Sequence, residues 1–221
     1  MTTHNPSPSD LQSGGQGRAG APVGVWLLTA LVVAAYIWQV SRSEQAGLRV
    51  LFDYAVIPAR YDPAAGAAYA GLIAALTPLV SHAFLHGGFV HLTLNAVALL
   101  ALGKALALRV GSAWLCLVFV VGAAAGAGLF IVLNPDLSMP LVGCSGAVCA
   151  IYGAIVADLL REARGAWGAL RRREILVQAA MFLALNVVLA MAVRATGVIA
   201  IAWEAHLGGF IAGTVLGFLR R

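Results

Sequence analysis

The chain has 221 residues, 61% of them hydrophobic and 10% charged, with a mean hydropathy of +0.90. Soluble domains carry roughly a quarter charged residues, so this composition excludes an ordinary soluble domain and indicates an integral membrane protein. The formal net charge of +5 falls between apolar runs, where positive residues orient a membrane protein, and no nucleic-acid partner is expected.

In chain order, residues 1–22 are rich in Ser, Gly, Pro and Gln without an apolar period and predict a disordered cytoplasmic tail. The run Val23–Val40 is long enough to span. It has no basic stretch before it and no A-x-A-like site after it, so it reads as an uncleaved first helix, with Trp26, Tyr36 and Trp38 at interfacial depths. Residues 41–79 mix Arg42, Arg49 and Arg60 with Glu44, Asp53 and Asp62 and with Pro58, Pro63 and Pro78. They predict a long extramembrane loop whose short amphipathic pieces, such as Gly66–Leu76, lie in the interface. Further helices are predicted at about Phe89–Leu108, Ala113–Leu133, Ser145–Leu160, Ile175–Val193 and Val198–Leu219. The fold class expected is therefore an all-α integral membrane protein with six transmembrane helices and an interfacial first loop.

With the N-terminus inside, Arg18, Lys104, Arg109, Arg161, Arg164, Arg171, Arg172, Arg173, Arg220 and Arg221 are cytoplasmic, and Arg42, Arg49, Arg60 and Arg194 lie outside. This imbalance predicts that both ends are cytoplasmic. Cys116, Cys144 and Cys149 fall in or beside apolar helices without metal-ligand spacing, so neither a disulfide framework nor a metal site is expected, and no cofactor is implied.

The stretch Leu141-Val-Gly-Cys-Ser-Gly-Ala-Val-Cys149 places a glycine-bracketed serine at the start of an apolar helix. Ser145 lies 16 residues before Arg161, roughly 24 Å at a rise of about 1.5 Å per residue. That is shorter than a hydrocarbon core of about 30 Å, so the preceding loop must dip into the membrane, where irregular backbone needs protein or a water-filled cavity around it.

Polar residues at membrane depth are costly and are functional candidates by default. His206 lies 14 residues before Arg220, roughly 21 Å up by the same rise, and His91 lies 13 residues before Lys104, roughly 20 Å up. Asn95, four residues after His91, shares its helix face. A hydroxyl, two imidazoles and an amide thus converge on one level. A serine hydroxyl is a weak nucleophile until a base takes its proton, and the neutral imidazole of His206 can do so. The oxyanion of a tetrahedral intermediate then needs donors, which the Ser145 amide at a helix start, His91 and Asn95 can supply.

No orienting carboxylate is evident. Asp158 lies near the cytoplasmic end of its helix, and Glu204 points nearly opposite to His206 and is expected to snorkel or face water near the outer surface. The reading is a Ser-His dyad. Cys144 is not expected to be the nucleophile, His82 and His86 are expected to be structural or water-binding, and Asn186 to make an interhelical hydrogen bond. The Arg161–Arg173 run is read as a topology signal. Gly146, Ala150, Gly153 and Ala157 form a small-residue seam that matches Gly209, Gly213 and Gly217 and would draw helices four and six together.

These residues resemble the rhomboid family of intramembrane serine proteases, in its bacterial six-helix type. The resemblance rests on Ser81-His-Ala-Phe-Leu-His-Gly-Gly-Phe-Val-His-Leu-Thr-Leu-Asn95, on Gly143-Cys-Ser-Gly146 and on Ala205-His-Leu-Gly-Gly-Phe-Ile-Ala-Gly213, in family order between about Thr77 and Gly217. It implies a membrane protease domain over residues 23–221, with Ser145 as nucleophile, His206 as general base and His91 and Asn95 as oxyanion donors. Gly143, Gly146, Gly209, Gly213 and His86 support the site. The implied substrates are single-pass or membrane-anchored proteins, and the implied location is a bacterial inner membrane. Two positions depart from the family pattern. Cys149 stands where an aromatic often packs under the catalytic histidine, which leaves the His206 ring less constrained unless a side chain such as Tyr152 fills the space. The first loop also lacks the Trp-Arg pair that often braces it.

Two other readings carry different signatures. A catalytically silent rhomboid-like protein that binds membrane clients should lack the nucleophile or the base, and this chain keeps both. A transporter should show internal repeats and paired interrupted helices, and the sequence has one dipping loop without a counterpart.

Overall fold

The computed structural model describes residues 22–64, 66–163, 165–196 and 202–220. The predicted tail at 1–22 lies outside the described residues apart from Pro22. The fold is all-α. Among the described residues there is no β-strand, and an isolated antiparallel bridge joins Val56 to Leu141.

Helix α1 covers Val23–Val40, and the first loop carries α2 (Glu44–Tyr54), α3 (Leu72–Leu76) and α4 (Pro78–Ser81). The long helices that follow are α5 (Phe89–Val110), α6 (Ser112–Leu133), α7 (Ser145–Glu162), α8 (Gly165–Thr196) and α9 (Trp203–Leu219). Among the described residues six long helices thus stand where six spans were expected. By length and apolar composition α1, α5 and α6 can each cross a membrane.

Helix α7 is central. Its residues from Gly146 to Ala150 are buried, as are Ile151, Gly153, Ala154, Val156 and Ala157, and it packs against α5, α6 and α9. The core around it is built from Val25, Leu28 and Val32 of α1, Leu99 and Leu106 of α5, and Leu115, Val118 and Phe119 of α6. Small residues set how closely α7 and α9 approach. A Cβ on Gly209 would overlap the Gly146 carbonyl, one on Gly153 would overlap the Phe210 carbonyl, and one on Gly217 would stand 2.6 Å from the Ala157 Cβ. In a membrane, where apolar surface gains little from leaving lipid, such close backbone contact is a main source of helix association.

The irregular segment before α7 is held by the first loop through backbone hydrogen bonds. Val56 and Leu141 exchange N–H···O bonds of 3.3 and 2.8 Å, Ala59 N–H donates to the Leu137 carbonyl at 3.1 Å, and Gly143 N–H donates to the His82 carbonyl at 2.9 Å. Buried non-helical backbone is tolerated here because protein satisfies it.

The amphipathic helix of the first loop is α2 rather than Gly66–Leu76, of which Leu72–Leu76 alone is helical. Gly71, at φ +91°, stops the helix from starting earlier. In place of a Trp-Arg pair, Arg60 braces the loop. Its guanidinium lies 3.6 Å from the Phe52 ring centroid and 4.0 Å from that of Tyr69, and it donates to the Ala67 carbonyl at 2.9 Å and to the Phe52 carbonyl. Such a sandwich suits a planar cation.

Helix α8 begins ten residues earlier than expected, because Arg171–Arg173 are good helix formers and continue the helix rather than loop out. Arg172 donates to the Ala163 carbonyl at the end of α7 (3.2 Å), and Arg161 donates to the Gly217 carbonyl near the end of α9 (3.1 Å). Both cations therefore also satisfy helix-terminal carbonyls. Asn186 donates to the Phe182 carbonyl in its own helix at 2.8 Å, and among the described residues no interhelical partner accompanies it. An amide one turn on reaches the i−4 carbonyl without a partner helix. The predicted start of the sixth span at Val198 lies outside the described residues.

Candidate active site

Ser145 is the first residue of α7, and the amides of a helix's first turn have no acceptor within the helix. Gly143, at φ +107°, turns the chain into that start. A side chain there would also collide with the imidazole above it, since a Cβ would stand 2.7 Å from both Cε1 and Nε2 of His91.

His206 lies in the first turns of α9, 8% exposed, with Nε2 2.7 Å from Ser145 Oγ. The separation is that of a hydrogen bond between hydroxyl and imidazole, and with the ring proton on Nδ1 the hydroxyl is the donor. Close packing of α7 and α9 at Gly146, Gly209 and Gly213 brings the two side chains together. The Tyr152 ring packs on Phe182 at 4.4 Å and on Phe210, one turn beyond His206, at 6.0 Å. Cys149 is buried.

From α5, His91 and Asn95 lie over the Gly143–Ser145 turn. His91 Nδ1 accepts the Gly87 N–H at 3.3 Å, which assigns the ring proton to Nε2, the atom that faces Gly143. Asn95 Nδ2 donates to the His91 carbonyl at 3.0 Å and carries a second N–H; the amide nitrogen lies 3.8 Å from where a Gly143 Cβ would be. Ser145 and His206 are therefore in direct contact, with two donors on the neighbouring helix facing the turn that carries the serine.

His82 and His86 lie beside this group. His82 is buried, with Nδ1 2.8 Å from the Pro78 carbonyl, and its own carbonyl receives the Gly143 N–H. His86 is buried against Cys144, with Nε2 3.9 Å from Sγ. Two supports escape a reading of the sequence. The Gln39 side chain, at the end of α1, clamps the His86 backbone, donating to its carbonyl and accepting its N–H, both at 3.0 Å. The Cys144 thiol donates to Asn95 Oδ1 at 3.6 Å. A glutamine ending an apolar helix was the available signal for the first; nothing in the sequence marked the second.

Glu204 neither snorkels nor faces water. It is 6% exposed and accepts a hydrogen bond from Asn134 Nδ2 at 3.3 Å, because the end of α6 faces the first turn of α9. Among the described residues no cluster of His, Cys, Asp or Glu could hold a metal ion.

The Rhomboid domain family matches residues 60–221, which include every residue of this arrangement except Gln39. The chain belongs to the rhomboid family. This rhomboid chain is 30% identical over 142 residues to RHOMBOID-like protein 5 of Arabidopsis thaliana, covering 64% of the chain and 43% of that protein. It is 35% identical over 86 residues to Rhomboid-related protein 3 of Homo sapiens, covering 39% and 21%. The chain thus spans less than half the length of either relative.

Proposed function

We propose that this rhomboid-family protein is an intramembrane serine endopeptidase, with residues 23–221 as its membrane domain. The observation that carries the reading is the 2.7 Å separation of Ser145 Oγ and His206 Nε2. As a substrate carbonyl approaches, the hydroxyl oxygen attacks its carbon while His206 Nε2 takes the proton. The negative charge that develops on the carbonyl oxygen meets the first amides of α7, the Asn95 amide and His91 Nε2–H. Collapse breaks the C–N bond, and the imidazolium gives its proton to the leaving amine. Water, activated by the same imidazole, then releases the acyl group from Ser145. The substrates proposed are single-pass or membrane-anchored proteins cleaved in or near their membrane segments. The location proposed is a bacterial inner membrane, with both chain ends cytoplasmic by the distribution of Lys and Arg.

The test is cleavage of a single-pass model substrate by purified protein in liposomes. Ser145→Ala and His206→Ala should each abolish cleavage without loss of the fold, and the double variant should be no worse than either, since such groups act as a unit. Substantial cleavage by Ser145→Ala would refute the assignment, whereas an inactive wild-type protein that still captures the substrate would favour a client-binding role.

A further inference from the structure

A carboxylate buried in an apolar bundle is costly and calls for a reason. Glu204 lies in the first turn of α9, two residues before His206, with 6% exposure. Its partner, Asn134, stands at the C-terminal end of α6 and also donates to the Phe130 carbonyl of its own helix at 3.0 Å. Next to Glu204 in the sequence, from Ala205 on, α6 and α9 touch backbone to backbone. A Cβ on Gly126 would stand 2.6 Å from the Ala205 carbonyl oxygen, and one on Gly208 would stand 2.7 Å from that of Ala125.

His206 needs such a tie. In many Ser-His sites a third group holds the base through its second ring nitrogen. Here His206 Nδ1 is buried without a hydrogen-bond partner among the described residues. The position of the ring therefore depends on the placement of α9. The Gly146–Gly209 contact sets that placement from the α7 side, and the contact with α6 sets it from the other.

We infer that Glu204 and Asn134 are positioning residues: their hydrogen bond pins the first turn of α9 to the end of α6 and thereby holds His206 within reach of Ser145. The inference rests on the protease reading above. Glu204 takes no part in the proton transfers. Its Oε1 supplies an acceptor for the Asn134 amide.

The test uses the full chain in detergent, with a fluorophosphonate probe to measure the labelling rate of Ser145, a single-pass model substrate to measure kcat and KM, and thermal unfolding as a control. For a folded Glu204→Ala protein, labelling rate and kcat should fall about 10- to 100-fold, the scale of loss when a reacting group shifts by about an ångström, with KM little changed. Glu204→Gln keeps the acceptor oxygen and should recover most of the rate. Asn134→Ala should slow labelling to the same degree, and the double variant no further, since the two residues share one interaction. Wild-type labelling by Glu204→Ala, or a Glu204→Gln protein as slow as the alanine variant, overturns the inference. If Glu204→Ala fails to fold, Asn134→Ala decides by the same reading. Wild-type protein unlabelled at Ser145 refutes the protease reading itself, whereas labelled wild type with unaffected variants refutes the tie alone.

Discussion

A methyl group on the α-carbon of Gly213 would overlap the carbonyl oxygen of Ala150. The obstruction is backbone, which cannot rotate aside as a side chain can. Gly213→Ala must therefore push α9 away from α7, and it should destabilise the protein by about 1–3 kcal/mol, the usual cost of overpacking. Ser145 labelling should also slow, because the same approach brings His206 to Ser145. Gly128 on α6 provides the contrast: a Cβ there meets nothing within 4 Å, so Gly128→Ala should stabilise by about 0.5–1 kcal/mol through helix propensity. Thermal unfolding of the two variants in one detergent checks the opposite signs.

Asn95 faces the turn before Ser145 with one N–H committed to the His91 carbonyl. If the other serves the oxyanion, Asn95→Ala should lower kcat by up to about 10²–10³, the cost of losing one such donor, with a smaller change in KM. His91 and the α7 amides remain as donors and reduce the loss. An unchanged kcat in steady-state assays would remove Asn95 from the site.

Tyr61, in the first loop, donates its hydroxyl to the Ala75 carbonyl at 2.9 Å. Burial, then the neighbouring Tyr69, pushes the phenol pKa up, against a smaller opposing effect of Arg60. The folded state thus holds the proton more tightly than an unfolded chain, whose tyrosine titrates near about 10. The stabilisation is fully present below that pH and is lost as pH rises through the raised folded value. Melting temperature should decline above about pH 10, and Tyr61→Phe should flatten the decline. A parallel decline in the variant would show that Tyr61 is not its source.

The six helices were legible because a membrane demands long apolar runs, and the charge that closes each run marks its end. The seam on α7 and α9 was legible because spacings of three and four residues keep to one helix face. Counting rise from a charged end also brought Ser145, His206 and His91 to one depth, since helical rise is nearly constant. Each of these inferences uses one helix at a time. The early start of α8 was missed because arginines at a membrane edge fit a loop and a helix equally well until the bounds of the helices themselves are seen.

By itself, then, the sequence determined that this protein is an α-helical membrane bundle and which residues could meet at one level. Only the tertiary structure decided which of them do meet, because rotation of each helix about its axis and its distance from its neighbours are set by packing between segments far apart in the chain. It put Ser145 Oγ and His206 Nε2 2.7 Å apart, turned Glu204 away from water to Asn134, 70 residues earlier, and gave Arg60 two aromatic faces in place of the missing Trp-Arg pair. The partners of Glu204 and Arg60 could not be read from the sequence because they are contributed by other segments, whose arrangement no local pattern encodes.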